Sequence, residues 1–134
     1  MNYIDFNDNN YVNTEAYQEF LKNNPGKGNL KIRAYAANEA LPVSGLRIVV
    51  STIIGNDRVV FFDGETDSSG MIETLSLPAP SLDTSNLIVP VTTTYIIDAI
   101  YSTSSEEEEF RVNMYDGICV VQNINFIPGD TYGR

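Results

Sequence analysis

Gly64-Glu65-Thr66-Asp67-Ser68-Ser69-Gly70-Met71-Ile72-Glu73-Thr74-Leu75-Ser76-Leu77-Pro78-Ala79-Pro80 joins a turn, a short strand and an abrupt stop. Asp67 can bond the backbone ahead of it and Gly70 can take positive φ, so residues 67–70 read as a tight reversal. A strand is expected to follow at once, with Met71, Glu73, Leu75 and Leu77 interleaved with Ile72, Thr74 and Ser76. Pro78 and Pro80 then end the ladder by removing backbone donors.

Working back from this stretch, residues 58–65 form the preceding strand, entered by a Gly55-Asn56 hairpin turn from the β-branched run 46–54. Asp63-Gly64 would leave too short a strand before the Asp67 turn, so Gly64 reads as a bulge. Before that, Leu30, Ile32, Ala34 and Ala36 alternate with Lys31, Arg33, Tyr35 and Ala37, the period of a half-buried strand. Working forward, residues 81–90 are a long connection, and residues 91–101 resume alternation. Asp98 is expected to face solvent, which turns Tyr95, Ile97, Ala99 and Tyr101 inward. Residues 102–109 end in Glu106-Glu107-Glu108-Glu109, whose mutual repulsion suits a solvated loop tip; calcium binding is the alternative, though spaced Asp/Asn ligands are missing. Asp116-Gly117 is the preferred pair for a type I′ turn, so residues 110–127 read as a closing hairpin. Its register sets Met114 opposite Cys119 and Val112 opposite Val121, burying the thiol, which should label slowly. The same counting turns Asn123 inward and Ile124 and Phe126 outward, so a bulge or change of face is expected near Gln122-Asn123.

These elements predict an all-β, two-sheet antiparallel sandwich with a short N-terminal arm and helix. Its core should include Leu30, Ile32, Ile48, Val50, Phe61, Leu75, Tyr95, Ile97, Val112 and Met114. The expected division is residues 1–27 for the arm and helix, 28–128 for the sandwich and 129–134 for a tail. With 134 residues and 43% hydrophobic content the chain is long enough for one continuous core. Eighteen acidic against eight basic residues give a net charge of −10, which repels a phosphate backbone and disfavours nucleic acid. No apolar run approaches a membrane span and the first residues lack a secretory pattern, which leaves localisation open among virion, spore and cell envelope. One cysteine excludes an internal disulfide framework.

Residues 1–12 intersperse Tyr3, Ile4, Phe6, Tyr11 and Val12 among Asn and Asp. Asn13 or Thr14 can cap a helix in which Tyr17, Phe20 and Leu21 share a stripe before Pro25-Gly26 stops it. This surface exceeds what the sandwich needs, so Tyr3, Ile4, Phe6, Tyr11, Tyr17, Phe20 and Leu21 are the candidate partner contacts, for a protein partner or for self-assembly. Capping one end of the chain's own domain is the alternative use of the stripe.

Pro42-Val43-Ser44-Gly45, the Thr66 to Gly70 turn, Leu77-Pro78-Ala79-Pro80, Tyr95 and Gln122-Asn123-Ile124-Asn125-Phe126-Ile127-Pro128 occur in the order seen in the carboxypeptidase regulatory-like domain, which the chain resembles over residues 28–128. The Leu-Pro-Ala-Pro segment and the closing stretch are similar to the version in clostridial spore cortex-lytic enzymes and related Firmicutes envelope proteins. That resemblance implies a seven-stranded antiparallel sandwich of transthyretin-like or Ig-like type and a non-catalytic companion of a hydrolase. The chain departs from it in lacking the Gly-Tyr often found near Tyr101 and in its acidic 106–109 stretch.

The chain has no histidine, the commonest general base and the residue that resemblance to transthyretin-like hydrolases or iron dioxygenases would demand. Cys119 lacks a basic partner in the sequence, and Asp67 with Glu65 or Glu73 is a pair flanking a turn, where carboxylates are normally solvated. The chain is therefore expected not to be an enzyme and to need no cofactor or metal. It is expected to be a structural or assembly protein of a virion, appendage or envelope layer, its arm contacting a neighbouring subunit. The alternative is an accessory module that positions a peptidoglycan-acting envelope enzyme or binds a glycan.

Overall fold

The structure, a computed structural model, describes residues 3–36, 40–82, 91–101 and 107–126. Period-two burial builds most of it. The elements are β1 (Tyr3–Asp5), α1 (Asn9–Val12), α2 (Glu15–Asn23), β2 (Gly26–Ala36), β3 (Leu41–Pro42), β4 (Arg47–Ile54), β5 (Asp57–Glu65), β6 (Leu75–Ala79), β7 (Thr93–Ile100), β8 (Glu107–Met114) and β9 (Cys119–Phe126). One sheet runs β1-β5-β4-β7-β8. In the other, β2 is central, with β9 along one edge and β6 and β3 sharing the opposite edge. The described residues thus hold nine strands instead of seven. β1 pairs β5 and β9 pairs β2 in parallel, so the sandwich is mixed instead of antiparallel throughout.

Leu30, Ile32, Ile48, Val50, Leu75, Tyr95, Ile97, Val112 and Met114 are buried in the core between the sheets, and Phe61 packs partly buried against it. Tyr95 crosses that core, and its hydroxyl donates to the Pro78 carbonyl of β6 at 2.6 Å. The bond joins the two sheets and satisfies a phenol that could not otherwise be buried cheaply. Burial pushes the Tyr95 hydroxyl far above its ordinary pKa, so it remains a donor.

The N-terminal segment follows its capping chemistry. Thr14 is the N-cap of α2, its hydroxyl accepting from the Tyr17 N–H, and Asp8 caps the short α1 in the same way through Asn10. β1 is then fixed to the sheet by Arg58, whose Nε donates to the Ser51 hydroxyl at 2.9 Å and whose Nη1 donates to the Tyr3 hydroxyl at 3.2 Å. Its Nη2 reaches Asp98 at 2.7 Å, and the guanidinium lies 5.3 Å from the Tyr3 ring centre. Both charged side chains are only 13% exposed. Asp98 does face away from the core, but into this ion pair and not into solvent. Desolvation raises its pKa, opposed by Arg58 and reinforced by Glu107 and Glu109, with Arg111 a lesser opposing charge.

Four expectations are corrected. Asp116-Gly117 does not close a hairpin: β8 pairs β7, while β9 crosses to the other sheet and joins β2. The turn is captured by β2 and β6. Asp116 N–H donates to Pro80, the Asp116 carboxylate accepts from the Lys27 N–H, and Gly117 N–H donates to Lys27. A Cβ on Gly26 would lie 2.5 Å from the Asp116 carboxylate, so the approach requires glycine there. Crossing sheets reverses the expected parity. Ile124 is fully buried, Cys119 and Val121 are exposed, and no change of face is needed near Asn123.

Second, β6 begins at Leu75 instead of at Met71, because burial passes from Ile72 to Leu75 and breaks the period of two; Met71 keeps only an isolated bridge to Arg33. β6 also runs through Pro78, which edge position permits. Third, Gly64 is not a bulge but pairs regularly with Ile48. Fourth, Glu107, Glu108 and Glu109 lie in β8, not in a loop, where alternating exposed glutamates protect an edge strand from pairing. Glu106, most of the 81–90 connection, Ile127, Pro128 and the 129–134 tail lie outside the described residues.

Two measurements test this account. Cys119 should label in the native protein at nearly the rate of the unfolded chain. Ile124→Ala should cost about 2–5 kcal/mol in urea unfolding, and Val121→Ala less than about 0.5 kcal/mol. A hairpin register predicts the reverse order. The second measurement concerns Asp98. Because its pKa is higher in the folded than in the unfolded chain, its contribution to stability is complete below the unfolded value and is lost as pH rises through the folded one. Urea midpoints taken from about pH 7 down to about pH 4 should therefore move in favour of wild type relative to Asp98→Asn.

Candidate functional site

β5 carries one residue more than β4 has places for. Val50 pairs with Phe62 and Ser51 with Val60, leaving Phe61 without a partner. On β4, Val50 and Thr52 face the core, and their partners Phe62 and Val59 therefore face it too. Counting two from Val59 also turns Phe61 inward, so the bulge presents two consecutive phenylalanines on the inner side. Beyond it, Gly64 leaves room for the Phe62 ring, which a Cβ would meet at 2.8 Å.

Phe61 is the hub of an aromatic wall built by the N-terminal segment. Phe6 stacks on it at 5.0 Å between ring centres, Tyr95 meets it edge-on at 5.6 Å, and Phe20 lies 6.2 Å away. Tyr17 and Tyr11 continue the chain of rings behind Phe20. β1 delivers Phe6: its ladder to β5 ends with the Phe6 N–H donating to Val60. Desolvation raises the pKa of both Tyr11 and Tyr17, so neither supplies a phenolate near neutrality.

A groove of about 500 Å³ lies between this wall and β6, lined by Phe6, Leu21, Phe61 and Phe62 on one side and by residues 73–78 on the other. Its β6 side is a sheet edge. Pro78 has no N–H, so its pairing with Lys27 is a non-hydrogen-bonded one, and Lys27 turns its own N–H and C=O toward Asp116 and Gly117. Alternation then directs the backbone groups of Leu75, Leu77 and Ala79 to β2 and those of Ser76 and Pro78 away from it. Tyr95 occupies the Pro78 carbonyl. The Ser76 N–H and C=O have no partner among the described residues. Lys27 stands at one end of the groove and Glu73 at the other, neither in an ion pair among the described residues.

The seven candidate contact residues are distributed between core and groove. Tyr11, Tyr17 and Phe20 are buried against this chain's own sandwich, while Ile4, Phe6 and Leu21 are partly buried against it. Tyr3 is 60% exposed, beside Arg58. Phe6, Tyr17 and Leu21 line the groove. Sequence reasoning did not single out Phe62, Lys27 or the free edge of β6; the adjacent Phe61-Phe62 pair inside an alternating strand was the available signal. Of the carboxylates weighed for acid–base work, Asp67 is engaged in its own turn, accepting from the Ser69 and Met71 N–H groups, and Glu65 and Glu73 are exposed. Among the described residues, no group of three His, Cys, Asp or Glu side chains is placed to hold a metal ion.

No family model matches the chain, and no curated protein does. Among solved structures it is similar to Klebsiella pneumoniae 5-hydroxyisourate hydrolase, with a TM-score of 0.52 and 14% identity over 76% of this chain and 91% of that one. It is also similar to (S)-allantoin synthase, with a TM-score of 0.53 and 9% identity over 77% of this chain and 41% of that one. Both are enzymes, which corrects the expectation of a structural or assembly protein of a virion or envelope layer and that of an accessory module for an envelope enzyme or glycan. The neighbouring-subunit contact expected of the arm falls with it, since β1 and the buried aromatic residues are used within the chain. At these identities the likeness is one of fold, and it is decided: the chain is a transthyretin-like β-sandwich.

Proposed function

We propose that the protein is a ligand-binding domain whose site is the groove between the Phe61-Phe62 bulge and β6, and whose ligand is linear and amphipathic. One observation carries this reading: a bulge, a helix and a parallel strand converge to place Phe6, Phe61 and Phe62 beside an opening of about 500 Å³ flanked by a free sheet edge. Small-ligand sites commonly have this character, an apolar wall with a few polar groups that orient what binds. Six consecutive residues, 73–78, line the β6 side of the groove, which suits a chain-like ligand better than a compact one.

That the domain is not an enzyme is part of the proposal. Its support is the lack of histidine and the position of Cys119, exposed on β9 opposite Asn29 of β2 and away from the groove. The net charge of −10 supports a partner other than nucleic acid. Kinship with the clostridial form of the carboxypeptidase regulatory-like domain is likewise proposed. Two of the residues that carry that resemblance, Tyr95 and Pro78, meet in the bond that anchors β6 beside the groove.

The apolar probe 8-anilinonaphthalene-1-sulfonate tests the site. The folded protein should enhance its fluorescence with saturable, micromolar affinity. Thr74→Trp, a change at an exposed lining position, should weaken binding about tenfold, or ~1.4 kcal/mol, while leaving the melting temperature within a few degrees. Unsaturable or unchanged probe binding would remove the groove as the site.

A further inference from the structure

Resting on that reading, we propose that the ligand is an extended segment of another protein, added as a short strand to the free edge of β6, antiparallel to it and with an acidic residue toward Lys27 and a basic one toward Glu73. The backbone supplies the first reason. Ser76 presents an N–H and a C=O on the groove side, two groups that an added strand satisfies and a small apolar molecule does not. Of the other described edges, β8 carries exposed Glu107 and Glu109 and β5 is covered by β1 from Arg58 to Val60, while β9, paired on one side to β2, does not line the groove. Among the described residues β6 has neither shield.

The second reason is the wall opposite. A strand beside β6 points alternate side chains into the groove, where Phe6, Phe61 and Phe62 receive apolar ones, and the others toward solvent. The third is charge. Lys27 lies beside Pro78 at the C-terminal end of β6, and Glu73 lies before its N-terminal end. An antiparallel guest enters by Lys27 and leaves by Glu73, so its acidic residue precedes its basic one. A second copy of this chain is a poor guest, since each copy carries −10. The ladder is also limited: Pro78 has no N–H and its carbonyl is held by Tyr95, so pairing stops after Ser76. The guest is therefore a segment of about five residues, on the order of 17 Å extended, bound with modest affinity.

The probe is a capped seven-residue peptide of alternating valine and threonine with aspartate near its N-terminus and lysine near its C-terminus, titrated into the full chain by calorimetry and amide NMR. Binding in the high micromolar range is expected, with the Ser76 amide shifted and slowed in hydrogen exchange. N-methylation of the peptide amide that would face the Ser76 carbonyl should weaken it about tenfold, as should Ser76→Pro, which removes an N–H that β2 does not use. Swapping the peptide's two charges should weaken it about threefold. The dye should bind Ser76→Pro as it binds wild type. If N-methylation and Ser76→Pro leave peptide affinity unchanged, side chains alone dock and strand addition is overturned. If the dye binds but the peptide does not, strand addition fails while the groove stands; if neither binds the folded wild type, the groove reading fails as well.

Discussion

One residue too many in β5 determines what the inner side of this sandwich looks like. Had β4 and β5 paired without a bulge, Phe61 and Phe62 would point to opposite sides, one into the core and one into water. The unpaired Phe61 turns both inward. Both rings are only partly buried by the sheets; Tyr95 meets Phe61 from within the core, and Phe6 and Phe20 cover it from the N-terminal segment. The N-terminal segment is thus not an appendage: its aromatic residues complete a wall that the sheets leave unfinished. The groove is what remains open along that wall.

The second constraint is the capture of the Asp116-Gly117 turn. Its local chemistry suits a hairpin, and a hairpin is what adjacent alternating segments usually form. Bonds from Asp116 and Gly117 to Lys27 and Pro80 hold the turn against the other sheet instead, and the chain can continue only along β2. Those partners are distant in sequence, so no local pattern announces them. The clue available was internal inconsistency, since hairpin parity forced Ile124 into water. A bulge would also turn Ile124 inward, and only the long-range bonds of the turn decide for the crossing to β2.

Alternation explains how much was legible. Where a strand has one face on the core, as in β2, β4 and β7, the expected residues are buried. The Thr14 cap and the Asp67 turn were legible because their partners lie within four residues. Asp98 was not. A lone carboxylate in a strand reads as solvent-facing, and only the fold brings Arg58 from forty positions away to cover it. The site depended on the same kind of information: Phe61 and Phe62 are visible as a pair, but their common side depends on the register of β4, and the free edge of β6 on which bonds β2 spends elsewhere.

The long parallel ladder between β2 and β9 bears on how this chain is made. Asn29 and Cys119 are partners although ninety positions separate them, and the ladder continues to Ala36 and Phe126. During synthesis the strand that seals β2 emerges after every other described strand, so Leu30, Ile32 and Ala34 wait with one edge bare until β9 has followed them out of the ribosome. Contacts of such separation form slowly because the loop must close before they contribute. The interval in which this protein is most exposed to misassociation is therefore the one before β9 arrives, and it is a property of strand order and not of any single side chain.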